Sequence, residues 1–229
     1  FLAAELGEPV ARYHAGLPQD ERKAVQDRFI TGVCRVIVAT SGFGKRIDKP
    51  DIRSVIHALV PDSPETYLEE VSCAGLDGLP STCTMVVIPR QDRGVRECLL
   101  KRETITSAHL DMIFGKVQTL GHEGGGAIRL EAEDAFLPLL VISHLQDLGS
   151  VELLECGSEG VALRVTGPLT EAVFSEARRR LLEHEQKRRE RFKRMLTYVN
   201  RRNTCRRRYL LRCLGEPLRS RPEPCCSTC

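Results

Sequence analysis

Short β-branched runs that alternate with amphipathic helical stretches place the strongest limit on the fold of this 229-residue chain. Pro18 begins an amphipathic stretch that Gly32 closes, and the apolar run 35–40 follows it. Residues 63–65, Ser-Pro-Glu, predict an N-cap and a first helical turn, and residues 84–88 predict a further strand. Strands separated by helices imply a parallel sheet with right-handed crossovers. The first part of the chain is therefore predicted to have an α/β fold.

One loop of this region has the composition of a ligand site. The segment ATSGFGKRIDKPDIRSVIH, residues 39–57, joins two apolar runs that we expect to be buried strands. Ligands of parallel sheets bind at the carboxyl ends of the strands, where this loop begins. Gly42 and Gly44 permit close approach of the backbone, and Asp48 and Arg53 can change partners across a cleft. Asp48 taken alone is more simply a turn cap, and only the joint pattern favours a ligand loop.

Composition limits the class and the compartment of the protein. No apolar run approaches the ~20 residues that cross a bilayer, so we expect a soluble protein without a membrane partner. Of the 10 cysteines, four lie near the C-terminus and the others are scattered in apolar context. This distribution does not resemble a secreted disulfide scaffold, so we expect a reducing, intracellular compartment.

Charge is distributed unevenly along the chain. From Ser175 onward there are 17 basic and 6 acidic residues, a net charge of +11, whereas the preceding residues carry 17 basic and 25 acidic residues, a net charge of −8. Such a basic run is most often the solvated face of a helix, and nucleic acid is the leading functional alternative. Charge alone therefore leaves a solvated helix face and a nucleic-acid surface as equal alternatives.

The middle of the chain predicts a different module. Two helical patterns, one around residues 110–120 and one over 133–148, precede two strands at 151–154 and 161–165 that flank a Gly- and Ser-rich turn. Helices followed by a hairpin favour a winged-helix-like module. Basic residues are scarce in it, so a structural spacer and a DNA reader are equally compatible with the sequence.

The last part predicts a long basic helix followed by a metal site. A helix is predicted from Pro168 to about Asn200, with its buried stripe formed by Phe174, Leu181, Phe192, Met195 and Val199. The cysteines after it suit tetrahedral zinc, with Cys205 joined by Cys226 and Cys229 in a C-x-x-C turn, and the fourth ligand is either Cys225 or a cysteine after Cys229. A redox dithiol is the alternative for Cys226 and Cys229, but it lacks its usual sequence context.

Three segments resemble a known family. YHAGLPQDERKAVQDRF, VIVATSGFGKRIDKPDIRSVIH and PDSPETYLEEVSCAGLDGLPSTC are similar, in order and spacing, to the second RecA-like lobe of RecQ-type, superfamily 2 ATP-dependent DNA helicases. CRRRYLLRCLGEPLRSRPEPCCSTC resembles the beginning of the zinc-binding subdomain of that family. The resemblance implies an ATP cleft at Gly42, Gly44, Asp48 and Arg53. It also implies Zn²⁺ at Cys205, Cys225, Cys226 and Cys229.

The family also implies DNA, single-stranded or at a junction, as a partner, and a division into domains. The expected DNA-binding residues are His14, Lys187, Arg188, Arg206 and Arg207. The expected domains are an N-terminally incomplete RecA-like lobe over 1–103, a winged-helix-like insertion over 104–168, and the basic helix with a partial zinc-binding helical subdomain over 169–229. DNA recombination and repair would place such a protein in the cytoplasm or nucleoid of a bacterium, or in a eukaryotic nucleus.

The chain also departs from the family pattern. Lys45-Arg46 replaces the usual Met-Gly, and Cys73 and Leu76 stand where the family has arginines that contact the γ-phosphate. No G-x-x-x-x-G-K-[ST] phosphate loop occurs in the sequence, so we expect ATP and Mg²⁺ to bind only with a first lobe that precedes Phe1. The 229 residues by themselves are expected to be a helicase fragment without catalytic residues of their own. The alternative is a non-catalytic DNA-binding or scaffold module derived from a helicase.

Overall fold

A computed structural model describes residues 2–41, 43, 47–88, 94, 107–122, 127–130, 136–157, 160–201, 203–217 and 226–227. The chain forms two compact units. The first consists of Phe1–Asp92 together with Arg191–Cys229, and the second consists of Arg93–Glu190.

The first unit begins with alternating helices and strands, as the sequence predicts. These elements are α1 (Leu2–Leu6), β1 (Val10–Tyr13), α2 (Gln19–Ile30), β2 (Val36–Ala39), β3 (Ser54–His57), α3 (Pro64–Val71) and β4 (Thr82–Met85). Strand β1 pairs with β2, and β3 pairs with β4, both in parallel. The prediction of parallel strands linked by helices is confirmed, and within the described residues the strands form two separate pairs.

We expected buried strands on either side of the ligand loop. This expectation is wrong, because β2 and β3 both contain exposed side chains. In β3, Val55 and His57 are half-buried, whereas Ser54 and Ile56 are exposed, and Ile56 retains 68% of its surface. In β2, Val38 is 49% exposed. Successive side chains of a strand point to opposite faces, so the described elements cover one face of β3 and leave the other open.

Local rules account for α2 and α3. Helix α2 follows Pro18, and its end at Ile30 precedes Gly32, which adopts a positive φ of 78°. Helix α3 is capped by Ser63, whose hydroxyl accepts the N–H of Thr66 at 3.0 Å. Both predicted starts are confirmed. Strand β4 begins at Thr82, two residues before its predicted start, because pairing with β3 over Ser54–His57 sets its bounds.

The second unit is built on a three-stranded antiparallel sheet. It contains α4 (Ser107–His122), β5 (Ala127–Leu130), α5 (Phe136–Asp147), β6 (Val151–Gly157) and β7 (Gly160–Val165), in the sheet order β5-β7-β6. The predicted hairpin is confirmed in β6 and β7. Its core includes a stacked ring pair, Phe114 and Phe174, with centroids 4.5 Å apart, and the buried residues Leu110, Val117, Val141, Ile142, Leu145, Val161, Leu163 and Leu181.

The long basic helix and the helix after it complete the chain. Helix α6 (Glu171–Asn200) confirms the predicted 168–200 helix with a start three residues later, and α7 (Arg206–Cys213) follows it. Phe174, Leu181, Phe192 and Met195 are buried as predicted, but Tyr198 takes the last buried position in place of Val199. Within the described ranges, no helix has the length and apolar character that a bilayer crossing requires.

Candidate functional site

The carboxyl ends of β1 and β2 meet at one edge of their sheet. Tyr13 pairs with Ala39, and the N–H of Thr40 donates to the carbonyl oxygen of Tyr13 at 3.1 Å. His14 follows β1 directly and is half-buried. The predicted DNA contact His14 and the start of the loop after β2 therefore lie at the same edge. Gly42 and Gly44 of the predicted ATP cleft, and the neighbouring Lys45 and Arg46, lie outside the described residues.

Asp48, the predicted cleft carboxylate, is exposed on an anchored segment. Ile47 on one side of it is buried against Phe29. On the other side, Lys49 Nζ lies 2.9 Å from Asp51 Oδ1 and 3.4 Å from the carbonyl oxygen of Ile30. The hydrogen bond from Lys49 lowers the pKa of Asp51. The chain is thus held on both sides of Asp48, whose carboxylate remains accessible to a ligand.

Arg53, the second charged cleft residue, is engaged with a neighbouring loop. Its Nη1 donates to the carbonyl oxygens of Leu79 at 3.2 Å and Pro80 at 3.3 Å, and its Nη2 pairs with Asp77. The N–H of Leu79, and then the Arg53 guanidinium, lower the pKa of Asp77. In this structure the guanidinium therefore organises the loop of residues 75–81, which we call the clamp loop.

The clamp loop needs glycine at its start. Gly75 adopts a φ of +66°, and a Cβ there would come within 2.8 Å of Ser81 Oγ and 2.9 Å of the Leu79 carbonyl oxygen. The N–H of Gly75 donates to the carbonyl oxygen of Ile52 at 3.0 Å, which ties the loop to the segment before β3. The clamp loop is therefore fixed by backbone geometry as well as by Arg53.

Cys73 and Leu76, the positions where the family resemblance implies arginines, differ in environment. Cys73 is buried with 8% of its surface exposed and packs against Phe29, Ile47 and Ile52, and burial raises the pKa of its thiol. Leu76 lies in the clamp loop and is 56% exposed. Neither side chain carries charge. A long cationic side chain at position 76 would not enter the core, whereas one at position 73 would.

Tyrosines join the lobe to the C-terminal helices within the first unit. The rings of Tyr67 on α3 and Tyr198 on α6 have centroids 5.4 Å apart. Tyr209 on α7 stacks near Tyr198, and its hydroxyl donates to the Arg194 carbonyl oxygen at 3.0 Å. Burial raises the pKa of both Tyr67 and Tyr198. We call these three residues the tyrosine cluster.

Two charged groups reinforce the tyrosine cluster. Arg194 Nη2 lies 2.9 Å from Glu65 Oε1, which links α6 to the first turn of α3. His57 Nε2 lies 2.8 Å from Glu70 Oε2, and its ring centroid is 5.2 Å from that of Tyr67. Sequence reasoning missed this cluster. A signal was present, since three of the four tyrosines of the chain belong to it.

The predicted DNA-binding cations fall into both units. Lys187 is exposed and Arg188 half-buried in the part of α6 that belongs to the second unit. Arg206 and Arg207 begin α7 in the first unit, where the Arg206 guanidinium lies 5.8 Å from the centroid of the Tyr198 ring. Several other arginines of α6 are neutralised by carboxylates of the same helix, namely Arg179 and Arg180 by Glu176, and Arg189 by Glu185. The helix therefore offers an anion less charge than its composition suggests.

Two of the four predicted zinc ligands lie together at the first turn of α7. The N–H of Arg206 donates to Cys226 Sγ at 3.3 Å, and the N–H of Arg208 donates to Cys205 Sγ at 3.4 Å. Backbone N–H groups stabilise thiolates, so this donor set fits a metal that binds sulfur. Cys225 and Cys229 lie outside the described residues, and no group of three or more metal-ligating side chains occurs among the residues that the structure describes.

Comparison with known proteins yields two family matches and several relatives. The helicase conserved C-terminal domain matches residues 1–75, and the RecQ zinc-binding family matches residues 174–229. ATP-dependent DNA helicase RecQ of Bacillus subtilis (strain 168) is 46% identical over 91 residues, which cover 40% of this chain and 15% of that protein. ATP-dependent DNA helicase Q4 of Homo sapiens is 45% identical over 85 residues, which cover 37% of this chain and 7% of that protein.

A third relative has a longer match. RecQ-like DNA helicase blm-1 of Caenorhabditis elegans is 41% identical over 117 residues, which cover 50% of this chain and 12% of that protein. The chain therefore spans only a small part of the length of each of these relatives.

Proposed function

Because this chain belongs to the C-terminal region of RecQ-type, superfamily 2 DNA helicases, we propose that it forms the second RecA-like lobe and the zinc-binding region of an ATP-dependent motor. The motor would move 3′ to 5′ on DNA in recombination and repair, inside a bacterial cell or a eukaryotic nucleus. The observation that carries the proposal is the sheet edge at which His14 and the loop leading to the exposed Asp48 follow two parallel strands.

We propose distinct roles for the residues of this edge. His14 binds the DNA strand, and Asp48 changes its contacts when ATP and Mg²⁺ bind with a lobe that carries a phosphate loop. Arg53 holds the clamp loop through Asp77 and two carbonyl oxygens, so it positions the lobe surface near the cleft. ATP supplies the energy for strand movement when it is bound. The residues described above supply the rigid support on which that movement acts.

The zinc-binding region is proposed to orient basic residues toward DNA. Cys205 and Cys226 receive N–H groups of the first turn of α7, and with Cys225 and Cys229 they would hold Zn²⁺. A bound metal fixes the start of α7 and hence the direction of Arg206 and Arg207. Lys187 and Arg188 on α6 are proposed as further phosphate contacts.

The second unit is proposed to be a winged-helix-like module. Its sheet order β5-β7-β6, with α4 and α5 preceding the β6–β7 hairpin, supports this assignment. The three functional domains remain proposed as 1–103, 104–168 and 169–229. Whether the module reads DNA or acts as a spacer depends on its charges, and in its described hairpin Arg164 is paired with Glu152 at 3.1 Å. That pairing favours the spacer.

A second candidate function is a non-catalytic DNA-binding or scaffold module. The observation that favours it is the buried, uncharged Cys73 and the uncharged Leu76 at the positions of the family's γ-phosphate arginines. Loss of an arginine that contacts the transferred phosphate typically costs ~10³-fold or more in turnover. The same DNA contacts would then serve binding alone.

ATP turnover separates the two candidates. This chain alone should show no DNA-stimulated ATP hydrolysis, because its sequence contains no phosphate loop. If this chain is joined to a lobe that carries a phosphate loop, the motor assignment predicts ATP hydrolysis that single-stranded DNA stimulates. Asp48→Ala should abolish this hydrolysis. A longer protein with an intact phosphate loop but no stimulated hydrolysis would contradict the motor and leave the binding module.

Metal dependence tests the zinc-binding region directly in this chain. We expect about one zinc per chain and a several-fold loss of DNA affinity after chelation, measured by metal analysis and fluorescence anisotropy. Cys205→Ser should reproduce the chelated state, whereas Cys156→Ser, an exposed cysteine of the second unit, is the matched control. DNA affinity that is indifferent to both chelation and Cys205→Ser would show that the basic residues bind without an ordered metal site.

A further inference from the structure

A basic cavity lies beside the first turn of α7, and Cys205, one of the proposed zinc ligands, forms part of its wall. Its volume is about 410 Å³, and its lining includes Arg201, Arg208 and Arg212 together with the neutral donors Asn203 and Thr204. None of the lining residues is acidic. We propose that this cavity is a binding site for a phosphate group, and we call it the arginine pocket.

Arg201 is held in place before any ligand binds. Its Nη1 donates to Thr204 Oγ1 at 3.0 Å, and its guanidinium carbon lies 4.5 Å from the centroid of the Tyr209 ring. These contacts use one face and one N–H of a group that has five N–H donors in a planar fork. The remaining donors are available in a fixed plane, so a phosphate would not have to order this side chain.

Arg208 and Arg212 bring two further positive charges to the same cavity. They lie one turn apart on α7 and both are exposed. Like charges at this spacing repel each other along a helix. Among the residues that the structure describes, Arg201, Arg208 and Arg212 make no salt bridge with a carboxylate, in contrast to Arg53, Arg189 and Arg194. An anion in the pocket would relieve this repulsion.

The chemistry of the lining favours phosphate over other anions. Guanidinium forks match the oxygen geometry of phosphate and form charge-assisted hydrogen bonds to it. The Asn203 amide and Thr204 hydroxyl supply neutral polar groups at the same wall. The cavity is larger than a single phosphate needs, so it leaves space for the group to which the phosphate is attached. A nucleic-acid strand is the expected source, and this identification alone rests on the proposed function.

Inorganic phosphate is the first probe of the pocket. Titration calorimetry of the full chain at low chloride should show saturable phosphate binding, and Arg208→Ala with Arg212→Ala should weaken it on the order of ten-fold or more. Lys23→Ala with Arg28→Ala, two exposed cations of α2, removes the same charge and should leave phosphate affinity unchanged. Equal weakening in both double variants, or no binding by the unmodified chain, would overturn the proposal.

A conservative variant separates recognition from simple charge. Arg208→Lys with Arg212→Lys keeps two positive charges but removes both planar forks. We expect its phosphate affinity to fall between that of the unmodified chain and that of the double alanine variant, with an unchanged circular-dichroism spectrum. Full affinity in the lysine variant would show that the pocket attracts anions by charge alone and would overturn the assignment of a phosphate-specific site.

Two oligonucleotides identify the source of the phosphate. Strands of one sequence, with a 5′-phosphate or a 5′-hydroxyl, are compared by anisotropy. A preference for the phosphorylated strand that the double alanine variant loses assigns the pocket to a strand end. If the two strands bind the unmodified chain with equal affinity and the double alanine variant binds both more weakly, the pocket contacts internal phosphates. For two such phosphates, the slope of log affinity against log salt concentration should decrease in magnitude by roughly 1.4.

Oligonucleotide affinity that the double alanine variant leaves unchanged overturns the nucleic-acid source. Failure of the proposed function would be detected separately, as absence of DNA binding by the unmodified chain. The calorimetric test with inorganic phosphate does not depend on that result.

Discussion

At the scale of single residues, the contacts of Arg53 show what a planar cation does that a point charge cannot. Its guanidinium serves two carbonyl oxygens and one carboxylate, all on the clamp loop 24 to 27 residues away. The side chain is 39% exposed, so its ion pair with Asp77 is screened by water and adds little to stability. The two hydrogen bonds to carbonyl oxygens are therefore the contacts that matter for folding.

This reasoning predicts the effect of Arg53→Lys. A lysine can keep one contact but not all three, so the free energy of unfolding should fall by roughly 1 kcal/mol, measured by urea denaturation. Arg35→Lys is the matched control, because the Arg35 side chain is 79% exposed and lies 3.9 Å from the Glu8 carboxylate. Equal small effects of the two substitutions would show that Arg53 does not hold the clamp loop.

Residues whose role depends on near neighbours were predictable, whereas residues with distant partners were not. Ser63 was predicted as an N-cap because the capping rule involves only residues 63 to 66, and the structure confirms it. The contacts of Arg53 with the clamp loop could not be predicted, because no local pattern brings Leu79 beside it. The predicted roles of His14 and Asp48 remain predictions, since the structure shows their positions but no ligand.

At the scale of elements, α6 is stabilised on its exposed faces by ion pairs between neighbouring turns. Glu176 Oε1 lies 2.7 Å from Arg179 Nη2 and 2.8 Å from Arg180 Nε, and Glu185 Oε1 lies 2.6 Å from Arg189 Nη2. The hydrogen bonds from Arg179 and Arg180 lower the pKa of Glu176 to about 2. These pairs support a helix that is too charged to be held by burial alone.

The lowered pKa of Glu176 predicts a pH dependence. A carboxyl whose pKa falls on folding stabilises the folded state above its ordinary value of 4.5, and this contribution is lost as the pH falls through about 2. Thermal stability should therefore decrease as the pH is lowered from about 5 to about 2, less steeply at high salt. The same titration of Glu176→Gln should show a smaller decrease. A slope unchanged by Glu176→Gln would assign the effect to other carboxyls.

The tyrosine cluster predicts how α3, α6 and α7 depend on one another within the first unit. Tyr67 and Tyr198 are 7% and 6% exposed and their rings pack together, so Tyr198→Phe removes a buried hydroxyl from the tyrosine cluster. We expect a loss of about 1–2 kcal/mol in stability and faster hydrogen exchange in α7. Tyr13→Phe, at a half-buried ring that packs on Phe43, is the control. Equal exchange rates in α7 for the two variants would contradict the coupling.

At the scale of the whole molecule, the order of helices and strands was easier to predict than which segments fold into the same compact unit. The alternation of helices and strands, the hairpin and the long helix follow from periodicity and turn residues, and the structure confirms them, whereas β4 is displaced toward the N-terminus from its predicted residues 84–88. Periodicity cannot show that residues 191–229 belong with residues 1–92, because that grouping depends on contacts such as Arg194 with Glu65, which are 129 residues apart. The arginine pocket could not be predicted for the same reason, because its lining combines residues of a loop with residues of α7.

Cys73 and Leu76, the positions where the family resemblance implies arginines, provide the last prediction, and their different environments predict opposite effects of an introduced arginine. In a longer protein with a phosphate-loop lobe, Leu76→Arg should raise ATP turnover by about an order of magnitude, because position 76 is exposed and can present a guanidinium to the cleft. Cys73→Arg should instead lower thermal stability, because a charged side chain would enter the core beside Ile47 and Ile52.

Leu79→Arg tests whether this gain is specific to position 76. Leu79 is a 62% exposed residue of the same clamp loop, so the substitution adds the same charge elsewhere on that loop. Steady-state turnover and melting temperature would be measured for all three variants. If Leu79→Arg raises turnover as much as Leu76→Arg, added positive charge near the cleft explains the gain. A rise confined to Leu76→Arg means that position 76 has the geometry of a γ-phosphate contact.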